Sequence, residues 1–160
     1  MASRICPEMI SSPDIPVPIR IEAPRTQDQA NIAACAVTLL GAPFQLYGRS
    51  VQTGLDCVGV AACCLCAVGD QFDAPTNYSI RGSFEERAQA FFAAGGFDKV
   101  RDPSLVAGDL LLLRPGHRQI HFAVLTMQGA VHAHMGLARV VLTPLPLPYP
   151  EIARWRFKGD

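Results

Sequence analysis

The sequence predicts an α+β domain, with N-terminal helices packed on a mostly antiparallel sheet of about five strands. Three observations carry this. The chain has 160 residues, the size of one compact domain. Helix signals fill its first part, and short apolar runs fill everything after Gly108. Strands and helices do not alternate, and no GxGxxG or Walker sequence is present, so a doubly wound nucleotide-binding fold is disfavoured. With 49% hydrophobic and 18% charged residues, such a chain buries about two thirds of its unfolded surface, which excludes disorder for most of it.

Residues 1–24 hold five of the thirteen prolines (Pro7, Pro13, Pro16, Pro18, Pro24) and read as an extended arm draped over a single domain of residues 25–160. Thr26 followed by Gln29 matches a capping box and opens a first helix, which runs proline-free to Leu40 before Gly41 and Pro43. Ala42 to Asp56 contains Pro43, Gly48 and Gly54 and reads as an ordered loop. A second helix begins near Asp56. Its body, VGVAACCLCAV, is apolar or small on every side, the signature of a helix buried all round. Ser83 with Glu86 signals a third helix, ending at Gly95 and Gly96. Five strands follow: Asp109 to Arg114, Gln119 to Thr126, Ala130 to His134, Arg139 to Thr143 and Ala153 to Phe157. Pro144, Pro146, Pro148 and Pro150 make the last connection extended, and an edge position is expected for it.

Charge and hydropathy exclude several function classes. Fourteen basic residues balance fourteen acidic ones, with no block of like charge, so neither nucleic acid nor an anionic membrane finds an electrostatic footprint. The longest apolar run, Val58 to Val68, falls well short of the ~20 residues a membrane span needs. The first residues lack the apolar run of a secretory signal, so cytoplasmic synthesis without a signal peptide is expected. Six cysteines are present, four of them crowded at Cys57, Cys63, Cys64 and Cys66 in one helix where neighbours cannot bridge. Free thiols are expected, with Cys63, Cys64 and Cys66 as core residues.

Cys57 stands where a glycine-containing loop turns into the buried helix. Unpaired N–H groups and the positive end of the helix dipole favour a thiolate there, although a small buried residue fits the same place. The chain's four histidines, His117, His121, His132 and His134, all fall in the strand region. A hairpin with a two-residue loop, ideally Gln128-Gly129, brings His121, His132 and His134 to one face, whereas a three-residue loop breaks the arrangement. A cysteine, a histidine base and a third polar group that orients it form the general design of an activated thiol; Cys57, His121 and His132 supply the three roles. Two other readings stand beside it: three histidines as ligands of a catalytic zinc with an open fourth position, and strand histidines with purely structural partners.

The segments GAPFQLYGRSVQTGLDCVGVAACCL (Gly41 to Leu65), AGDLLLLR (Ala107 to Arg114) and IHFAVLTMQGAVHAH (Ile120 to His134), in this order, resemble the NlpC-type cell-wall cysteine peptidases. The match runs from about Gly41 to Phe157. PF-x-L-x-GR, GLDC-x-G and the terminal Trp155, Arg156, Phe157 are similar to the phage-tail and gene-transfer-agent branch. The resemblance implies a papain-like α+β fold in which Cys57 attacks an amide carbon, His121 takes its proton and His132 orients His121. It implies peptide-bond hydrolysis in peptidoglycan stem peptides by a phage-tail or prophage-derived wall hydrolase, with no metal or organic cofactor and with phage-tail-like structural proteins as further partners. The family usually carries tyrosine where this chain has Phe44. Tyr47 and Asp56 are then the candidates for substrate or oxyanion contact, together with the Cys57 backbone N–H. The alternative is a tail-assembly or adaptor protein that keeps the fold with little or no catalysis.

Overall fold

The structure, a computed structural model, describes residues 18–69, 76–78 and 85–159. In chain order its elements are β1 (Ile21–Glu22), α1 (Gln27–Thr38), β2 (Arg49–Ser50), β3 (Gly54–Leu55), α2 (Cys57–Cys66), α3 (Glu85–Ala94), β4 (Phe97–Lys99), β5 (Leu105–Val106), β6 (Leu110–Leu113), β7 (His121–Thr126), β8 (Gly129–His134), β9 (Arg139–Thr143) and β10 (Glu151–Phe157). The main sheet has six strands in the order β4-β10-β6-β7-β8-β9, and each neighbouring pair is antiparallel. The α+β class and all five expected strands are present. No helix among the described residues is long and apolar enough to cross a membrane.

Local chemistry accounts for the helix starts. Thr26 caps α1 by accepting from the Gln29 N–H at 3.2 Å, while Gln29 Oε1 accepts from the Arg25 N–H at 2.8 Å. The buried Gln29 side chain also donates to the Phe157 carbonyl, which ties the helix start to the last strand. In α2 the side chains of Val58, Val60, Ala61, Ala62, Cys64 and Leu65 are all buried, as an all-round apolar helix requires. Ser83, the expected cap of the third helix, lies outside the described residues, as do Cys6 and residues 1–17 of the arm.

Period-two alternation divides the sheet into two covered faces. Leu110, Leu112, Phe122, Val124, Val131 and Trp155 share a core with Ile32 of α1, Leu65 of α2 and Phe92 of α3. Leu111, Leu113, Ala123, Leu125 and Ala130 form a second cluster on the other face, covered by Ile21, Leu105, Leu145, Leu147 and Tyr149. Burial on both sides explains why β6 reads as an unbroken run of four leucines.

The structure departs from expectation in two places, the proline-rich connection and the number of strands in the main sheet. The proline-rich connection does not line an edge: it leaves edge strand β9 and crosses the second face to reach β10. In PLPLPYP the prolines are exposed and Leu145, Leu147 and Tyr149 turn inward, so an extended chain lays every second side chain on the sheet. At the end of the arm, Ile21–Glu22 pairs in parallel with Leu105–Val106. A sixth strand, β4, pairs with β10 from Phe97↔Phe157 to Lys99↔Trp155. It has three residues, of which Asp98 and Lys99 are exposed, leaving one buried residue as signal.

Gly108-Asp109 and the terminal Trp155-Arg156-Phe157 segment meet in one interaction. Asp109 is fully buried and takes a two-point contact from Arg156, Nε to Oδ1 at 2.7 Å and Nη2 to Oδ2 at 2.8 Å. Asp109 Oδ2 also accepts from the Val106 N–H. Removing one partner leaves a buried charge uncompensated. Asp109→Ala is expected to lose about 3–5 kcal/mol in urea unfolding, whereas Glu22→Gln, which breaks the exposed pair with Arg25, is expected to lose less than about 1 kcal/mol.

Candidate active site

The site is built from the start of α2 upward. Asp56, 2% exposed, is the N-cap, and its Oδ1 accepts from the Gly59 N–H at 2.8 Å. The same carboxylate takes Arg49 Nη1 at 2.9 Å, the Tyr47 N–H at 2.8 Å and the Tyr78 hydroxyl. Gly59 is required by close approach, since a Cβ there would stand 2.2 Å from the Gly48 carbonyl oxygen. Asp-Cys-x-Gly is therefore a packing motif as much as a chemical one. The aspartate closes the helix end, the glycine lets the loop lie on the helix, and Cys57 is held between them as the first helical residue.

The sheet supplies the opposite wall. Register pairs between β7 and β8 run over Thr126↔Gly129, Leu125↔Ala130 and Val124↔Val131 and stop there. Beyond that point β7 stays paired to β6 as far as His121, and β8 to β9 as far as His134. His121 and His132 lie beyond the end of the β7–β8 pairing. His121 Nε2 lies 2.9 Å from His132 Nδ1, with the rings nearly perpendicular at 87°. His132, only 2% exposed, places its Nε2 2.8 Å from Thr143 Oγ1. The hairpin loop has the expected two residues, but they are Met127-Gln128, one earlier than expected, because Gly129 is the first residue of β8 and pairs with Thr126. The face shared by the histidines survives that shift.

Cys57, His121 and His132 line one cavity of about 250 Å³, together with Phe44, Tyr78, Gln119, His134 and Tyr149 among others. Burial dominates its electrostatics. It pushes the Cys57 thiol up to about 12, helped by the neighbouring Asp56 carboxylate and opposed by backbone N–H groups of Phe122, Val58 and Cys57. Burial, and after it the charges of His132 and His134, pull His121 down to about 3; burial and then His134 bring His132 to about 4. The resting site is thus a neutral thiol beside two neutral imidazoles. This reverses the thiolate expected from the helix dipole, because desolvation outweighs a dipole already satisfied by the Asp56 cap.

Cys57, His121 and His132 are brought together as the sequence suggests. Tyr47 is not: it is absent from the cavity wall, and its hydroxyl donates to the Tyr78 carbonyl oxygen at 2.7 Å. Asp56 touches the cavity, but its oxygens are taken up by the cap, Tyr47, Arg49 and Tyr78. The hydroxyls of Tyr78 and Thr143 escaped sequence reasoning, as did Tyr149, whose ring lies 6.3 Å from that of His121; only PLPLPYP carried a signal, in its alternating inward positions. The zinc alternative needs three nitrogens converging on one point. Instead His121 and His132 engage each other, and His134 Nδ1 accepts from the Leu137 N–H at 3.1 Å. Among the described residues no group of three or more His, Cys, Asp or Glu is arranged to hold a metal. Cys35, Cys57, Cys63, Cys64 and Cys66 are free; Cys64 is core, but Cys63 is only partly buried and Cys66 is exposed at the helix end.

Two outcomes follow from burial. Site-resolved mass spectrometry is expected to show slow iodoacetamide alkylation of Cys57 at pH 7, accelerating only in strongly alkaline solution. The histidines, depressed when folded, contribute stability that is present above their unfolded value of 6.5 and lost as pH falls toward about 4. Denaturant midpoints measured across this window are expected to fall steeply with acid for wild type and less steeply for His121→Gln.

No protein-family model matches the chain, and no curated protein matches it. Solved structures do. The chain is similar to the NlpC/p60 domain of peptidoglycan hydrolase SagA at 22% identity, with a TM-score of 0.53, covering 77% of this chain and 95% of that one. It is similar to the P60 domain of an M. avium subspecies paratuberculosis antigen at 18% identity, with a TM-score of 0.58, covering 84% and 96%. The helices and the antiparallel sheet are thus arranged in the NlpC/p60 fold.

Proposed function

We propose that this chain is a cysteine peptidase that hydrolyses peptide bonds in peptidoglycan stem peptides. The observation that supports it most is the meeting of Cys57 with the His121–His132 pair on one cavity in a fold shared with a domain of a peptidoglycan hydrolase. His121 Nε2 is engaged with His132, which leaves Nδ1 to receive the thiol proton. As that proton moves, Cys57 sulfur attacks the amide carbon. His121 then returns the proton to the departing amine, leaving a thioester on Cys57. A water molecule gives its proton to His121 and its oxygen to the acyl carbon; the thioester breaks and Cys57 recovers the proton. The N–H groups at the start of α2 are the donors for the developing oxyanion. Neutral partners suit this sequence, because charge separates only as the bond forms.

The phage-tail character of PF-x-L-x-GR and GLDC-x-G supports a setting in which the enzyme meets the wall as part of a tail-like particle.

The test is digestion of purified peptidoglycan and soluble muropeptides by wild type and Cys57→Ala, with products read by mass spectrometry. Cleavage by wild type is expected to fall by at least about 1000-fold in the variant, and the fragment masses name the bond. A folded wild type that cleaves nothing overturns the reading in favour of an adaptor. Because His121 acts as a neutral base and its proton affinity is depressed, the acid limb of kcat/KM is expected well below pH 6.5.

A further inference from the structure

The contact behind His132 sets the direction of the whole relay. His132 is almost completely buried, so an unpaired N–H on its ring would carry a desolvation cost. Its two nitrogens have one partner each: His121 Nε2 at 2.9 Å and Thr143 Oγ1 at 2.8 Å. With both rings neutral, each carries one hydrogen, so the two contacts are linked and admit two polarities. In one, Thr143 donates to His132 Nε2, His132 Nδ1–H donates to His121, and His121 carries its hydrogen on Nδ1. That state cannot accept the thiol proton at Nδ1. In the other, Thr143 oxygen accepts from His132 Nε2–H, His132 Nδ1 accepts from His121 Nε2–H, and His121 Nδ1 is a free lone pair.

We propose that Thr143 is a positioning residue for the Cys57 reaction, its hydroxyl oxygen holding His132 and His121 both in the Nε2–H tautomer. The inference rests on the peptidase reading for its catalytic consequence, but the tautomers are a property of the resting protein. Thr143 does not line the cavity; it acts through His132. Its place is set by β9, where it stands opposite Ala130 in the β8–β9 register. When His121 is protonated its Nε2–H still faces an acceptor, so the relay passes through the reaction without rotating a ring.

Thr143→Val keeps the branched shape in the strand and removes the acceptor; Thr143→Ser keeps the acceptor. On muropeptides, Thr143→Val is expected to lower kcat about tenfold, the scale of one charge-assisted hydrogen bond, with KM unchanged, and Thr143→Ser to restore it. In ¹⁵N-histidine spectra near pH 7, wild type and Thr143→Ser are expected to show Nε2–H on both rings, and Thr143→Val a mixture at His132. Wild-type kcat in Thr143→Val, equal impairment in both variants, or Nδ1–H on His132 in wild type overturns the proposal. If the wild type cleaves no muropeptide, the peptidase reading fails, and the nitrogen shifts alone decide the polarity of the relay.

Discussion

The structure around the cavity depends on one buried carboxylate. Asp56 accepts from the helix N–H of Gly59, from the loop N–H of Tyr47, from Arg49 and from Tyr78. Those four donors belong to the start of α2, the loop before the β2–β3 hairpin, β2 itself, and residues 76–78. A carboxylate withdrawn from water costs several kcal/mol and is tolerated only with charge-assisted partners. The positive helix end and the guanidinium offset that cost. In doing so they bring these chain segments to one point and fix the backbone on which Cys57 stands. The same negative charge adds to the effect of burial in raising the thiol's proton affinity, so the interaction that positions Cys57 also favours its neutral form.

The second constraint is the parting of β7 from β8. Because β7 is held by β6 and β8 by β9, the strands can separate at their histidine ends without leaving the sheet. The outer pairings thus bear the structural load, which releases the inner edges for the site. Tyr149 adds a ring to the cavity from the strap over the far face. Side chains from both sides of the sheet thereby reach a single opening.

Burial explains how the histidines and the thiol coexist. Each would carry charge at some cost in a cavity of low polarity, and their proton affinities move in opposite directions, up for sulfur and down for nitrogen. The neutral forms avoid that cost, and the contacts from His121 to His132 and from His132 to Thr143 give the buried ring nitrogens their partners.

Much was legible in the residues alone. The capping signal at Thr26, the helix start near Asp56, the all-apolar body of α2 and the short apolar runs after Gly108 determine helices and strands locally, through backbone hydrogen bonding and hydrophobic period. Cys57 at a helix start and the spacing of His121 and His132 across a short hairpin were likewise readable, because both depend on neighbours in the chain. The tertiary structure alone decided the rest. Tyr78 and Arg49 close on Asp56, Thr143 closes on His132, Asp109 meets Arg156, and the proline strap crosses a face instead of an edge; all of these join distant residues or elements, and no local pattern encodes them. It also decided the charge state of the site. The helix dipole is a local property and favours a thiolate, whereas desolvation depends on everything packed around the sulfur and outweighs it.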